Sequence, residues 1–390
     1  MIPSVLPTYN RAPLAFVSGE GSWLTTADGQ RYLDLGAGIA VNALGHANPE
    51  LVASLTEQAA KLWHVSNVYQ IPQQQRLADM LVDQTFADTA FFTNSGTEAA
   101  ELAIKMARKY WYEKGQPDRI EILTFEGAFH GRSTGAIAAA GSEKMTKGFG
   151  PLMPGFRSLP FGDHDALRAA LTEQTAAVLI EPIQGEGGIR VVPDQCLKGL
   201  RDLCDLTGAL LIFDEVQCGV GRTGKLFAHE WAGVTPDIMM VAKGIGGGFP
   251  LGAVLATENA ASGMGAGTHG STYGGNPLGC AVGAKVMEIV ADPAFLAEVN
   301  RKGALFRQGL ESLVACHPQM FEAVRGTGLI LGLKCKIPSP DVVKAGYAEQ
   351  VLAIAAADNV LRLLPALNIT DAEIAEALAR LDRTATRLEA

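Results

Sequence analysis

The chain has 390 residues, 48% of them hydrophobic and only 19% charged, and a net charge of −9. That length and apolar share support a large buried core and exclude a disordered chain. The acidic balance, 32 Lys and Arg against 41 Asp and Glu, argues against a nucleic-acid or anionic-membrane partner.

The opening MIPSVLPTYNRAPL has no basic stretch followed by an apolar core, so no secretory signal is expected. No apolar run reaches the roughly eighteen residues a membrane span needs. Ala90-Phe91-Phe92-Thr93 is a short apolar run. It leads through Asn94-Ser95-Gly96-Thr97-Glu98 into Ala99, Leu102, Ala103, Met106, Ala107 and Tyr110 at helical spacing. Ser95 with Glu98 three residues on is a capping-box pattern, so a helix is expected to start there. Strands are expected at 120–125, 176–181, 209–213, 238–242 and 251–256, as continuous apolar runs buried on both faces. Helical patterns such as 194–206 separate them, which argues for βαβ units and a mainly parallel sheet. The last hundred residues differ: helices at 277–290, 296–314 and 371–388, with short strands near 328–334 and 360–364, read as a smaller α+β unit. The turn-rich first 45 residues are expected to pack with it. The six cysteines form no CxxC pair and fit no zinc or disulfide scaffold, so reduced thiols in a cytoplasmic protein are expected.

Three places carry chemistry. Ser95-Gly96-Thr97 sits between a strand and a helix, where free N–H groups attract phosphate; taken alone, the same residues fit an ordinary helix cap. Asp214 and Lys243 each close an apolar strand, and ligands of open α/β sheets bind at such ends. A half-buried lysine suits covalent attachment to an aldehyde, and a nearby carboxylate can hold a pyridoxal ring nitrogen protonated. Taken singly, each also fits a solvated strand end. Gly219–Lys225 matches both GxGxxG and GxxxxGK. Leu226 stands where magnesium needs Ser or Thr, and the acidic strand precedes the loop, so a structural turn is the better reading.

Six motifs, NSGTEA, FHGR, EPIQGEGG, FDEVQCGVGRTG, AKGIGGGFPLGA and THGSTYGGNPL, occur in that order over residues 94–278. Together they resemble the class III pyridoxal-phosphate aminotransferases. GFGPLMPGF at 148–156 and the compact length are similar to the branch acting on acetylated ornithine. The resemblance implies the fold type I α/β architecture. A large domain (46–275) would hold a mainly parallel seven-stranded sheet, and 1–45 with 276–390 would form the small α+β domain. It implies pyridoxal 5′-phosphate as cofactor, no metal, and a homodimer with shared active sites.

It also implies residue roles. Lys243 would hold the cofactor covalently and shuttle the proton, and Asp214 would pair with the ring nitrogen. Gln217 would approach the ring hydroxyl, with Glu215 and Val216 alongside. Gly96 and Thr97 would bind phosphate, Ser95 more loosely, and Phe129 would stack on the ring. Thr272 would reach the phosphate of the neighbouring subunit's cofactor, and Ser271 would lie beside substrate. Arg132 would hold the donor's α-carboxylate, and Arg362 that of glutamate or 2-oxoglutarate; planar guanidinium suits bidentate carboxylate binding. Glu186 would pair with Arg362 when no second carboxylate is present and swing aside when one arrives. His130 reads as structural rather than as an acid/base, since the lysine already serves that role, and Glu181 as structural or as holding a neighbouring group. Cys218 and Ser133 stand where the family more often has Thr. The implied reaction moves the terminal amine of N-acetylornithine to 2-oxoglutarate, in arginine biosynthesis. N-succinylornithine, free ornithine and N-succinyl-diaminopimelate are alternative donors. A non-catalytic cofactor-binding protein and a P-loop nucleotidase are alternatives of other classes.

Overall fold

The computed structural model describes residues 2–389. Its centre is a seven-stranded sheet in the order Thr89–Thr93, Gly252–Ala256, Ile238–Val241, Leu210–Asp214, Thr175–Ile180, Glu121–Phe125, Phe156–Leu159. Five neighbouring strands run parallel; Gly252–Ala256 runs antiparallel to both of its neighbours. Six of these strands are the apolar runs read from the sequence, each within about two residues of the expected limits; the edge strand Phe156–Leu159 was not expected. Thr175–Ile180, Leu210–Asp214, Ile238–Val241 and Gly252–Ala256 are buried at every position. Helices on both faces explain that: no strand residue there has a solvent side to keep polar.

Helix Gly96–Glu113 begins where expected, with Ser95 as N-cap. The capping box is only half formed. Ser95 Oγ accepts from Glu98 N at 3.4 Å, while Glu98 Oε2 accepts from Asn94 N at 2.7 Å. Three other helices start on an Asx-Pro pair. Asn48, Asn276 and Asp292 each cap a helix whose first residue is proline, since proline lacks an N–H that would be unpaired there anyway.

The C-terminal part carries a four-stranded antiparallel sheet in the order Phe321–Thr327, Ile330–Cys335, Val360–Leu363, Ile354–Ala356. The first and last of these strands were not expected: Phe321–Thr327 is only partly buried with little apolar alternation, and Ile354–Ala356 is only three residues long. The chain's first strands pair among themselves, and Arg31–Asp34 also lies parallel to Val351–Leu352, so residues from both ends share one sheet. Leu33, Leu77, Met287 and Leu363 lie in one apolar cluster that runs between these parts.

The Gly219–Lys225 loop leads into a short 3-10 turn, Ala228–Trp231, rather than an α-helix N-terminus. Arg222 from this loop is buried and donates to the carbonyls of Leu329 and Pro365. The loop is a structural turn that ties the sheet end to the C-terminal part.

Candidate active site

The carboxyl ends of the sheet strands open into a cavity of about 440 Å³. Lys243 reaches it one residue beyond Ala242, after strand Ile238–Val241. Its backbone is left-handed, with φ of 50°, a conformation that costs a non-glycine residue on the order of 1 kcal/mol. The side chain meets the cavity while its amine is desolvated. Burial pushes that amine down to about 8, and the nearby Arg362 guanidinium adds to the shift against Glu186, Asp214 and Glu181.

Asp214 ends strand Leu210–Asp214 and is buried. His130 Nδ1 lies 2.7 Å from its Oδ2, and Val216 N donates to its Oδ1 at 3.0 Å. His130 also lines the cavity, and its Nε2 has no partner. Read from sequence as structural, it holds Asp214 and forms part of the cavity wall. Its link to Asp214 spans 84 positions, so no local spacing could have exposed it.

On another wall is the first turn of helix Gly96–Glu113, with Ser95, Gly96 and Thr97 all facing the cavity. Helix geometry leaves the first N–H groups without intrahelical acceptors. A Cβ on Gly96 would lie 2.9 Å from Val216, so the backbone can come this close only as glycine. The Thr97 hydroxyl accepts from Arg132 N at 3.1 Å and Ser133 N at 3.2 Å, which pins the FHGR segment to the helix start. Gly131 has φ of 129°, and a Cβ there would fall 2.2 Å from Thr97 Oγ1. Phe129 and Arg132 line the same space, with the guanidinium 5.5 Å from the ring centroid.

Arg362, on strand Val360–Leu363, is almost wholly buried. It donates to Glu186 Oε1 at 2.8 Å and to Gln217 Oε1 at 2.9 Å, and both acceptors line the cavity. Glu181 lines it too and accepts from Phe129 N at 3.2 Å. Its burial, and Asp214 beside it, push this carboxyl well above the usual carboxylate range.

Three expected residues lie elsewhere. Glu215 needs correcting: its carboxylate turns away from the cavity and accepts from Ala228 N at 2.7 Å and His229 N at 2.8 Å. It holds the following loop. Ser271 lines a separate recess with Asn67 and His269, and Thr272 is exposed. Cys218 is buried, and burial raises its thiol well above the usual range, so it is not poised as a nucleophile.

The cavity thus gathers a desolvated amine, a buried and oriented carboxylate, a helix N-terminus and the Arg132 guanidinium, with Arg362 bonded behind its lining residues Glu186 and Gln217. These fit a phosphorylated pyridine aldehyde: the amine for the aldehyde, Asp214 for a ring nitrogen, the helix start for phosphate. The family model described as aminotransferase class-III matches residues 6–385. The chain belongs to the class III aminotransferases. It is 75% identical to the acetylornithine aminotransferase of Rhodobacter capsulatus over 389 residues, 100% of this chain and 99% of that one. Its fold matches the N-acetylornithine aminotransferase of Stenotrophomonas maltophilia with a TM-score of 0.86 at 39% identity, covering 98% of each chain. It matches the ornithine aminotransferase of Toxoplasma gondii, a structure reported with partial occupancy of PLP at its active site. There the TM-score is 0.94 at 32% identity, over 99% of this chain and 93% of that one. In this class III aminotransferase the motif residues of 94–243 and Arg362 converge from loops and strand ends far apart in sequence.

Proposed function

We propose that the chain is a pyridoxal-phosphate transaminase moving the terminal amine of N2-acetyl-L-ornithine to 2-oxoglutarate. The products are N-acetyl-L-glutamate 5-semialdehyde and L-glutamate, a step of arginine biosynthesis in the cytoplasm. The observation that carries this reading is the end-to-end 75% identity to an acetylornithine aminotransferase. We also propose a large domain of 46–275, a small domain of 1–45 with 276–390, and a homodimer in which Thr272 serves the partner's site.

When bound, pyridoxal 5′-phosphate supplies an aldehyde that carries the amino group and a ring that draws electron density from the substrate carbon. Lys243 would hold it covalently; with a pKa of about 8, its Nζ is a competent nucleophile close to neutral pH. The same Nζ takes the proton from the amine-bearing carbon of the substrate. Asp214 would hold a proton on the ring nitrogen, and His130 and the Val216 N–H fix its two oxygens. The N–H groups of Gly96 and Thr97 would bind the phosphate, with Phe129 and Val216 as apolar walls. Arg132 would bind the α-carboxylate of the donor. Glu186 neutralises Arg362 while the donor is present. When glutamate or 2-oxoglutarate enters, its second carboxylate displaces Glu186 and takes up the guanidinium.

The test is a panel of single half-reactions. Cofactor-loaded protein is mixed with N-acetylornithine, N-succinylornithine, ornithine, GABA or lysine, and the fall of the cofactor's visible band is timed. N-acetylornithine is expected to react fastest. Equal rates with GABA or lysine would show the donor to be wrong.

A further inference from the structure

Glu181 follows strand Thr175–Ile180 and projects into the cavity wall with only 5% of its surface exposed. It accepts one hydrogen bond, from the neutral N–H of Phe129 at 3.2 Å. Among the described residues no other donor reaches it, and it belongs to no ion pair. A buried carboxylate with one neutral donor is poorly supported, because burial disfavours the charged form unless cations or several donors compensate.

The charged groups around it make this sharper. Asp214 stands beside it from strand Leu210–Asp214, already served by His130 and the Val216 N–H. Glu186 adds a second negative charge, itself bonded to Arg362. Neither of the two cations beside the cluster bonds Glu181. The Arg362 donor is taken by Glu186 and Gln217, and the Lys243 amine is itself pushed toward neutrality. Of the three carboxyl groups at the cavity, Glu181 is the one held by a single neutral N–H, whereas Glu186 is paired with a guanidinium and one third exposed. When acidic groups crowd together, the least supported one keeps its proton. Burial first, then Asp214, raise this carboxyl well above its ordinary range, and Lys243 opposes them only in part.

We propose that Glu181 stands in the cavity as a neutral carboxylic acid whose O–H donates to an acceptor oxygen of the bound ligand. The acceptor is a carbonyl, phenolate or carboxylate oxygen, and the proposal rests on the function above only for the ligand's identity. A neutral acid here has two consequences. It leaves Asp214 as the charged partner for a ring nitrogen, and it removes a negative charge that would repel dicarboxylate substrates.

The test is isotope-edited infrared spectroscopy on the full chain grown with 13C-labelled glutamate and kept cofactor-free. Near neutral pH a labelled C=O band of a protonated acid is expected, absent from Glu181→Gln. It should fade only well above the ordinary glutamate value of about 4.3. No such band at neutral pH overturns the proposal, whatever the enzyme's substrate turns out to be. In the loaded enzyme Glu181→Gln, which keeps a neutral donor, should slow the donor half-reaction less than a variant without one. Glu181→Met, which has no donor, should slow it about fivefold, the worth of one hydrogen bond. Equal rates in the two variants also overturn it. If the Met variant does not fold, the infrared band decides alone.

Discussion

At Lys243 the physics of a single residue sets a testable pH dependence. Burial favours its neutral form and lowers the amine from 10.5 to about 8. Between those values the unfolded chain binds a proton that the folded chain does not. This group therefore makes the cofactor-free fold more stable as pH rises from about 8 toward 10.5. Acylation of Lys243 in the cofactor-free chain should climb with a midpoint near pH 8, read by mass spectrometry. A midpoint at the ordinary lysine value contradicts a desolvated site. Lys243 and Asp214 were legible in the sequence only together, because two charged strand ends combined with a helix-start phosphate loop fit one site better than separate solvated ends. Glu215 was misread for an equally physical reason. Its carboxylate is drawn to the backbone N–H groups of Ala228 and His229, a long-range contact that its place beside Asp214 does not reveal. His130 was legible as part of FHGR but not as the partner of Asp214, since that contact is made only by folding.

Among elements, the ion pair between Glu186 and Arg362 joins a loop beyond the central sheet to a strand of the C-terminal sheet. Arg362 is 1% exposed at the side chain and Glu186 33%, so the carboxylate has room to leave and the guanidinium does not. A buried charge stripped of its partner is costly, which makes Arg362 a strong receptor for a substrate carboxylate. Glu186→Gln should therefore favour the glutamate half-reaction over the acetylornithine one, by roughly tenfold in the ratio of rates, about 1.4 kcal/mol. Stopped-flow measurement of both half-reactions checks it, and equal loss in both contradicts the switch. The buried strands and long helices were readable because burial on both faces or on one stripe leaves a periodic apolar trace. Phe321–Thr327 was not, because it is a half-exposed edge held by backbone pairing to Ile330–Cys335. The pairing of Arg31–Asp34 with Val351–Leu352 has no local signature either.

For the whole molecule, the exposed groups suggest where a second copy sits. Thr272 and Tyr273 are exposed near the recess formed by Ser271 and Asn67, and Trp63, Val68 and Tyr69 expose apolar surface. The His64 and Tyr273 rings lie 5.2 Å apart, tilted by 49°, so the two segments form one surface. No helix among the described residues is long and apolar enough to cross a membrane. Sedimentation is expected at twice the chain's 41.1 kDa. Thr272→Ala should weaken cofactor retention without changing that mass; a monomer that retains cofactor fully contradicts shared sites. The most direct measurement is reduction of the cofactor-loaded protein with borohydride, followed by peptide mapping. One phosphopyridoxyl group per chain is expected, on Lys243, with neither label nor transamination in Lys243→Ala. Label on another residue, or turnover retained by that variant, would contradict it.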